Sequence, residues 1–316
     1  MKKILVAAIA LCSVFTLAAC ASKDDSEQTR IGIIQYAEHD ALTASRKGFL
    51  ESLAEAGYKD GKNLKVTFTN AQGDQSNLQT MVEQLSGKTD LNFAIATPAA
   101  QALQAGIPDT PAVFTAVTDP VSAGLVESME KPGKNMTGSI DAADVSDQIE
   151  LLLKVVPDAK TVGIFYNANE VNSEVQAKAA KKALESVGVK AVEKTVTTTN
   201  DVQQTMMSLA GQVDAIYLPT DNTVASTVPT IGEILIDKKV PAIGSDEAVI
   251  GGVLFTSGVD YRAIGKQAGE LAVKILNGED VSQLAVEKPK TTSIVVNEEM
   301  AEVLGYDPET IKSLAE

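Results

Sequence analysis

Short apolar runs alternate with helix-forming segments along the chain, and this alternation is typical of a parallel α/β sheet. Each apolar run ends at small polar residues or at proline, as buried parallel strands do where they enter a loop. In the first half, the pattern predicts strands at 31–36, 63–70, 93–96 and 112–116, with helices at 43–56, 75–85 and 99–105.

The second half repeats this order, which indicates a second sheet of the same kind. We therefore predict an α/β fold of two doubly wound parallel-sheet domains joined by a hinge. Interruptions at 137–141, 256–260 and 287–292 are the predicted crossings, which give an N-terminal lobe of 30–139 plus 258–287 and a C-terminal lobe of 140–257 plus 288–316. The predicted elements of the second half are strands at 161–166, 190–196, 215–219, 241–244, 251–257 and 292–296, and helices at 145–155, 173–187, 201–209, 224–238, 262–276 and 298–304.

The first 19 residues have the pattern of an export signal. Lys2 and Lys3 precede an apolar core at 4–16, and small residues then lead to Cys20. The ending LAAC resembles the bacterial lipobox, and this resemblance implies lipidation of Cys20 and anchoring at the outer face of the cytoplasmic membrane. An ordinary secretory signal with a chance cysteine is the alternative. Residues 20–29 are polar and are predicted to form a flexible, lipidated tether.

The formal net charge of −15 bears on which binding partners the protein can have. Nucleic acids and anionic membrane surfaces attract basic patches, so neither is predicted as a partner. Beyond the signal, the sequence holds no further apolar run of the length that a membrane span needs. Contact with the membrane is therefore predicted through the lipid anchor alone.

Residues for catalysis or metal binding are scarce. His39 is the only histidine, Cys20 is the only cysteine outside the signal, and no nucleophile elbow or dinucleotide fingerprint is present. The sequence therefore predicts no catalytic residue, no metal and no cofactor. An enzyme stays open as an alternative that a hydrolytic assay of the purified protein would reveal.

The segment 92–120 holds two apolar strands on either side of a short helix. Loops 97–100 and 115–119 follow these strands and are predicted to leave the same edge of one sheet. In open α/β sheets, ligands bind beyond the carboxyl ends of the strands. This edge is therefore the predicted ligand site, and a cleft between two such lobes would place it at a domain interface.

Three groups of short motifs point to one known family. They are GY at 57–58 with GKN at 61–63, DPV at 119–121 with GLV at 124–126, and PGKNMTG at 132–138. Together they resemble the tryptophan/tyrosine-type substrate-binding lipoproteins of ABC transporters. The resemblance covers about residues 30–310 and implies a type I periplasmic-binding fold. It also implies extracytoplasmic capture of an amino acid, mostly an aromatic one, by a monomer that delivers it to an ABC permease and its ATPase.

An amino-acid ligand needs a place for its carboxylate. Thr97, Ala99 and Ala100 at the start of a helix would supply a hydroxyl and free N–H groups, and Thr118 and Asp119 lie in the neighbouring loop. Thr97 is alternatively a cap for its own helix, and Asp119 is alternatively a turn and cap.

The ligand ammonium needs an acidic side chain in a water-poor cleft. Asp221 and Asp246 each follow a buried strand of the second half, and we favour Asp221, although either residue could instead cap a helix. The neighbouring side chains of Asn222, Asn167 and Asn169 would hydrogen-bond the same groups, with a loop turn as the alternative.

The aromatic side chain needs a flat apolar wall. Tyr36, at the end of the first strand, is the candidate, and a tyrosine of the core is the alternative. Glu38 and His39 follow in the same loop and are predicted at the rim of the cleft.

Two further alternatives share this fold. A ribose- or nucleoside-type carrier would surround hydroxyl groups with Asp, Asn and Arg, yet only three Arg occur in the chain, at 30, 46 and 262. A ligand-sensing regulator would carry a basic helix-turn-helix before the first strand, where this chain carries an export signal.

Overall fold

The structure is a computed structural model that describes residues 28–314. The predicted signal peptide, Cys20 and most of the predicted tether lie outside these described residues. The strands are β1 (Thr29–Gln35), β2 (Leu64–Asn70), β3 (Leu91–Ile95), β4 (Ala112–Val117), β5 (Met136–Ile140), β6 (Thr161–Asn167), β7 (Lys190–Val196), β8 (Ala215–Leu218), β9 (Ala242–Gly244), β10 (Phe255–Val259) and β11 (Thr292–Val296).

Helices connect most of these strands. Several begin at an aspartate whose carboxylate accepts backbone N–H groups of the first turn, as at Asp144 and Asp260. The helices are α1 (Asp40–Glu55), α2 (Gln75–Leu85), α3 (Thr97–Gly106), α4 (Val145–Val155), α5 (Val171–Ser186), α6 (Val202–Ala210), α7 (Asn222–Ala225), α8 (Val228–Lys238), α9 (Tyr261–Leu276), α10 (Glu298–Leu304) and α11 (Pro308–Ser313).

The first sheet has five parallel strands in the order β2-β1-β3-β4-β5. The chain adds strands on both sides of β1, so helices cover both faces of the sheet. Nearly all residues of β1, β3, β4 and β5 are buried, whereas the edge strand β2 is largely exposed or half-buried. As predicted, the loops after β3 and β4 leave the same edge, because these strands are parallel neighbours that pair Ile95 with Thr115. The sequence analysis missed β5 and treated its residues as a crossing.

The second sheet has six strands in the order β11-β10-β9-β8-β6-β7. All its pairs are parallel except β10 with β11, which run antiparallel and pair Val259 with Thr292. The predicted parallel arrangement therefore holds for the other pairs, and β11 is an antiparallel strand at the edge of the sheet. The helix between these two strands, α9, packs in the first lobe, so no crossover helix is present to bring β11 back in the parallel direction.

Two separate hydrophobic cores surround the two sheets. The first core includes α9 residues such as Ile264 and Leu271, although α9 follows a strand of the second sheet. The chain therefore crosses between the lobes three times, at 141–144, at 260 and at 288–291. Three crossings side by side are the arrangement that allows hinge bending between two lobes.

Helices α1 and α9 pack unusually closely in the first lobe. A Cβ atom added to Gly265 would lie 2.1 Å from the backbone oxygen of Ser45, and one added to Gly48 would lie 2.1 Å from the oxygen of Arg262. Only glycine permits this approach of the two backbones. The N-termini of both helices carry residues of the cleft, His39 before α1 and Tyr261 in α9, so this packing sets their positions.

Two other elements differ from the prediction. The helix predicted at 224–238 is divided into α7 and α8, because Pro229 lies at the start of α8 and favours a helix N-terminus there. The strand predicted at 251–257 is displaced to β10, and a 3₁₀-helix at Glu247–Gly252 precedes it. Asp246 caps this 3₁₀-helix.

Candidate ligand-binding site between the lobes

The carboxyl ends of strands from both sheets face each other across the cleft. Loops after β1, β4 and β5 approach from the first lobe, and loops after β6, β8 and β9 approach from the second. Side chains from these loops enclose an inner gap lined by His39, Leu42, Ala116, Asp141, Asn172, Thr220, Asp221, Asn222, Asp246 and Tyr261.

An outer pocket lies beside the inner gap, and Asn222 lines both of them. The outer pocket has a volume of about 460 Å³, and the inner gap has only about 10 Å³, the space of one water molecule. An amino acid therefore enters the inner gap only if the lobes or side chains move apart. The outer pocket is lined by Tyr36, Gln72, Gly73, Asp74, Gln75, Asn167, Asn169, Thr197, Thr198, Thr199, Asn222, Thr223 and Ser226.

A larger cavity, of about 600 Å³, is a groove on the outside of the first lobe between α2 and α3. Its polar side chains include Gln79, Glu83 and Gln101, and it lacks the buried acidic groups found between the lobes. The candidate site is the cleft, because buried acidic side chains from both lobes converge there.

Asp141 is a buried carboxyl group of the first lobe, directly after β5. The hydroxyl of Thr118 donates to its Oδ1 at 3.0 Å, and the hydroxyl of Tyr261 donates to its Oδ2 at 3.1 Å. Burial raises the pKa of Asp141 to about 6, although both hydrogen bonds favour the ionised form. Burial and the nearby Asp141 also raise the pKa of Tyr261 well above its usual value, so Tyr261 keeps its proton.

Asp246 is the corresponding carboxyl group of the second lobe, directly after β9 and Ser245. Its Oδ1 accepts the backbone N–H of Ala248 at 2.6 Å. Burial is the main cause that raises the pKa of Asp246 to about 7, and the negative charge of Asp141 across the cleft adds to the shift. Two carboxyl groups from opposite lobes therefore face one space.

A buried hydrogen-bond network fixes the backbone at Asp246. The hydroxyl of Ser245 lies 3.0 Å from Oε1 of Gln148 and 2.7 Å from the hydroxyl of Tyr217. The side-chain amide of Gln148 donates to the carbonyl of Ser257 at 2.5 Å. Because Gln148 lies in α4 and Ser257 in β10, this network connects Asp246 to elements next to two of the three crossings.

Glu170 is fully buried, and its carboxyl oxygens accept hydrogen bonds from residues of the loop after β8. It accepts the backbone N–H of Asn222 at 3.1 Å and its side-chain Nδ2 at 2.6 Å, and also the N–H and hydroxyl of Thr223, both at 3.2 Å. Burial, reinforced by the charge of Asp221, raises the pKa of Glu170 to about 8, against these hydrogen bonds. Glu170 therefore holds Asn222 in place on the surface of the inner gap.

Asp221 is buried and acts as the cap of α7. One of its oxygens accepts the N–H of Val224 at 2.9 Å, and the other accepts the N–H of Asn167 and the hydroxyl of Ser173, both at 2.7 Å. Burial raises the pKa of Asp221 above its usual value. The structure thus shows the capping role that was the alternative for Asp221, while a ligand contact by this residue stays a prediction.

Direct hydrogen bonds join the two lobes at the cleft. Nε2 of His39 lies 3.2 Å from Oδ1 of Asn222, and the side-chain amide of Gln75 donates to the carbonyl of Asn169 at 3.3 Å. Burial lowers the pKa of His39, so its imidazole is neutral at neutral pH. These contacts belong to a closed arrangement of the lobes.

The predicted residues of the first lobe occupy different places. Tyr36 lines the outer pocket and donates its hydroxyl to the carbonyl of Gly73 at 3.0 Å. Glu38 is exposed and accepts the hydroxyl of Thr43 at 2.8 Å, and it lines neither cavity. The carboxylate of Asp119 accepts the N–H groups of the next turn, at Val121 and Ser122.

Thr97, Ala99 and Ala100 are buried at the start of α3. They are not among the residues that line the inner gap or the outer pocket, so their contact with a ligand carboxylate stays a prediction. Ala96, rather than Thr97, occupies the cap position of α3, and the hydroxyl of Thr97 has no hydrogen-bond partner within residues 28–314. The N–H of Ala96 donates to the carbonyl of Thr115, which places this helix start beside Ala116 of the inner gap.

Two non-glycine residues next to the cleft have positive φ angles. Ala96 has φ 83° and ψ 153°, and Ala116 has φ 55° where the register between β4 and β5 shifts. Such conformations cost about 1–3 kcal/mol each and concentrate at ligand sites. They lie at the ends of β3 and β4, the same two loops that the sequence analysis selected.

The sequence analysis missed Asp141, Glu170, Asn172 and Tyr261. Asp141 follows a strand of the first sheet, and the same rule that selected Asp119 would have found it if β5 had been recognised. Glu170 and Asn172 lie in and just after the loop that follows β6, near the selected Asn167. Tyr261 carried no such signal, because its approach to the cleft depends on the crossing at 260.

Neither a metal site nor a membrane-spanning helix is found in the part of the chain that the structure covers. Residues 28–314 contain no group of three or more His, Cys, Asp or Glu side chains arranged as a metal site. Within the same range, no helix combines the length and apolar character required to span a membrane.

Comparisons with known proteins agree with this architecture. A family model described as ABC transporter substrate binding protein matches residues 30–315. The chain is 40% identical over 283 residues to the tyrosine-binding protein of Clostridioides difficile, a match that covers 89% of this chain and 82% of that protein.

Two solved structures are informative about conformation. An ABC domain from Streptococcus pneumoniae in complex with L-Trp superimposes with a TM-score of 0.86 at 36% identity, over 90% of this chain and 97% of the other. A ligand-free, open substrate-binding protein with adhesive properties from Clostridium difficile gives a TM-score of 0.69 at 45% identity, over 88% and 95%.

This chain has the type I periplasmic-binding fold with two parallel-sheet domains, as the sequence predicted. The family match spans nearly all of the described residues, and the C. difficile relative is well above 30% identical over most of the chain. The chain therefore belongs to the family of ABC transporter substrate-binding proteins.

Proposed function

We propose that this protein captures an amino acid with an aromatic side chain between its lobes and delivers it to an ABC permease. The observation that carries the proposal is the pair of buried carboxyl groups, Asp141 and Asp246, that approach one gap from opposite lobes. None of the described residues that line this gap is Lys or Arg. A ligand ammonium would supply the missing positive charge.

The same carboxyl pair explains how a ligand would favour closure. Two ionised carboxyl groups that come together in a water-poor cleft repel each other, and burial penalises each charge separately. An ammonium group between them removes the repulsion and offers donors to both. The closed form therefore binds a cationic group more strongly than the open form, which is the condition for a ligand to shift the equilibrium between them.

The relatives support the aromatic class of ligand. One relative is a tyrosine-binding protein, and a structural neighbour was solved in complex with L-Trp. The present structure superimposes better on the L-Trp complex than on the open, ligand-free protein, even though the open protein is more similar in sequence. This order supports the view that the described arrangement is a closed one.

The proposal includes a location and partners. Family members of this kind act outside the cytoplasm, and the N-terminal pattern supports export followed by lipid attachment at Cys20. A single chain would suffice, because both lobes and every lining residue come from one protein. We propose a monomer tethered to the outer face of the cytoplasmic membrane, which gives its ligand to a permease powered by an ATPase and carries out no chemical step itself.

Binding can be tested on the mature chain without its signal. Thermal unfolding is measured with each of the twenty amino acids, with sugars and with nucleosides, because a ligand at 100 times its Kd adds about 2.7 kcal/mol of stability. We expect only amino acids with aromatic side chains to raise the Tm strongly. Stabilisation by ribose or a nucleoside, and by no amino acid, would replace the proposal with the sugar-carrier alternative.

A matched pair of variants tests the role of the carboxyl pair. Asp246→Asn removes one charge of the pair but keeps an acceptor for the N–H of Ala248. Asp307→Asn makes the same change at an exposed helix cap in α11, outside the lining of the cleft. We expect loss of the ligand-induced shift in the first variant and its retention in the second; equal behaviour of both would contradict the assignment.

A further inference from the structure

Two hydrogen-bond acceptors of the inner gap have no partner. Nδ1 of His39 and Oδ1 of Asn172 are buried and lack a hydrogen bond to any atom of residues 28–314, and both residues line the gap. Asn172 is 4% exposed. Buried polar atoms are nearly always paired, so two unpaired atoms around one gap indicate a site for an external donor.

The hydrogen bonds of Asn172 identify which of its atoms is free. Its Nδ2 donates to the backbone carbonyl of Thr220 at 2.9 Å. A carbonyl oxygen can only accept, so the nitrogen of the amide is fixed on that side. The atom left in the gap is therefore the amide oxygen, which is an acceptor.

A similar chain of hydrogen bonds fixes the tautomer of His39. Nδ2 of Asn222 donates to Oε2 of Glu170 at 2.6 Å, so Oδ1 of Asn222 is the atom that faces His39. This oxygen accepts a hydrogen bond from Nε2 of His39 at 3.2 Å, which requires the proton on Nε2. In the neutral imidazole, Nδ1 then carries a lone pair and no proton.

The free acceptors belong to a different network from the carboxyl pair. His39 and Asn172 are both connected to Glu170, His39 through Asn222 and Asn172 directly. Asp141, in contrast, is bonded to Thr118 and Tyr261. The gap thus offers one group of acceptors with negative charge for an ammonium and a second, neutral group.

We propose, on the basis of the function proposed above, that His39 Nδ1 and Asn172 Oδ1 form a specificity subsite for a hydrogen-bond donor on the aromatic side chain of the ligand. The phenol O–H of tyrosine and the indole N–H of tryptophan are such donors. Phenylalanine has none and leaves both acceptors buried without a partner. The subsite therefore selects tyrosine or tryptophan against phenylalanine.

The size of this selection follows from the cost of unpaired buried groups. Sites built to bond a ligand O–H or N–H reject an analogue that lacks the group far more strongly than a purely apolar pocket rejects a small change in size. Loss of one such bond corresponds to a factor of about 10 to 100 in affinity. We expect at least about tenfold weaker binding of ligands without the donor.

Two pairs of ligands, each with and without the donor, test the subsite on the unaltered protein. Kd is measured by calorimetry for tyrosine against phenylalanine, and for tryptophan against 3-benzothienylalanine, in which sulfur replaces the indole N–H. The expected result is that the donor-bearing member of the better-bound pair binds at least about tenfold more tightly. Equal affinities within both pairs would overturn the subsite and leave the proposed function intact. Absence of binding by all four would overturn the proposed function as well.

A variant at His39 connects the selection to its residue. His39→Phe keeps a planar ring but removes both ring nitrogens, so it also removes the contact of Nε2 with Asn222. That loss affects both ligands of a pair equally, so the ratio of their affinities reports on Nδ1. The ratio of affinities within the better-bound pair should fall toward one. An unchanged ratio in this variant and in Asn172→Ala would refute the assignment to these two residues.

Discussion

Replacing Asp246 with Asn should stabilise the ligand-free protein and at the same time abolish its response to ligand. The carboxyl group of Asp246 is buried, and its pKa of about 7 lies above the ordinary value of 3.8. A raised pKa means that the folded state favours the neutral form. The ionised carboxylate is therefore a cost to folding, which the amide of Asn does not carry.

The magnitude follows from the pKa shift. Each pKa unit corresponds to about 1.36 kcal/mol, so a shift of about three units represents at most about 4 kcal/mol when the group is fully ionised. The carboxyl's favourable contribution is fully present below its unfolded pKa, near pH 4, and it is lost as the pH rises through about 7. Asp246→Asn should therefore match the parent protein near pH 4 and become increasingly more stable by pH 8.

The assay is urea unfolding at pH 4, 5, 6, 7 and 8. Both proteins are first unfolded, dialysed and refolded, so that no bound ligand remains. We expect the stability difference to grow by about 1–4 kcal/mol over this range. The control, Asp307→Asn, should show no such growth, because Asp307 is an exposed cap whose pKa is lowered by its hydrogen bonds to Thr310.

A second measurement adds ligand at pH 8. The parent protein should gain about 2.7 kcal/mol at 100 times Kd, and the variant should gain nothing at the same concentration. A variant that is no more stable at pH 8 than at pH 4, relative to the parent, would refute the reasoning about burial. A variant that still binds ligand normally would refute the role of Asp246 in holding the ammonium.

Three other changes test separate parts of the structure. Ligand affinity, measured by calorimetry, should rise more than about tenfold between pH 5 and pH 7, because Asp141 and Asp246, with pKa values of about 6 and 7, must ionise to hold an ammonium. Gly265→Ala should lower the free energy of unfolding in urea by about 1–3 kcal/mol or more, because its Cβ would lie 2.1 Å from the oxygen of Ser45. Ala96→Gly should raise the Tm, because glycine adopts the positive φ angle without strain and the free energy of unfolding should increase by about 1 kcal/mol.

Each of these expectations has a result that contradicts it. A flat affinity between pH 5 and pH 7 would mean that the ligand holds no cation in the gap. The other titratable groups that line the gap are Asp221, His39 and Tyr261, and Glu170 lies behind Asn222. A Gly265→Ala protein of parental stability would show that α1 and α9 separate without cost. A lower Tm for Ala96→Gly would mean that the flexibility of glycine in the unfolded chain outweighs the strain.

Much of the fold is readable from local patterns. The buried strands β1, β3, β4, β6 and β8 stand out as apolar runs between turn residues, because strands covered on both faces have no polar alternation. The adjacent loops after β3 and β4 follow from the parallel order alone. β5 was missed because its residues MTGSI contain only two large apolar side chains, and its burial depends on neighbours from β4 and the chain around 287.

In the candidate site, too, some features could be predicted from local sequence and others depend on tertiary contacts. Asp221 and Asp246 were selected because they follow apolar strands, and both are buried in the cleft. Their different bonding could not be read from the sequence. The oxygens of Asp221 accept the N–H groups of Val224 and Asn167 and the hydroxyl of Ser173. Asp246 instead accepts the N–H of Ala248 and has the hydroxyl of Tyr261 beside it.

The sequence by itself determined the alternation of strands and helices, the sheet edge that is the candidate ligand site and the family motifs, since each depends on residues close together in the chain. Only the tertiary structure decided that Asp141 meets Asp246, that Tyr261 reaches the first lobe through the crossing at 260, and that His39 contacts Asn222 from the opposite lobe. The physical reason is that these contacts join residues up to 183 positions apart. They form when two separately folded cores close on each other, and no local pattern of apolar and polar residues encodes that approach.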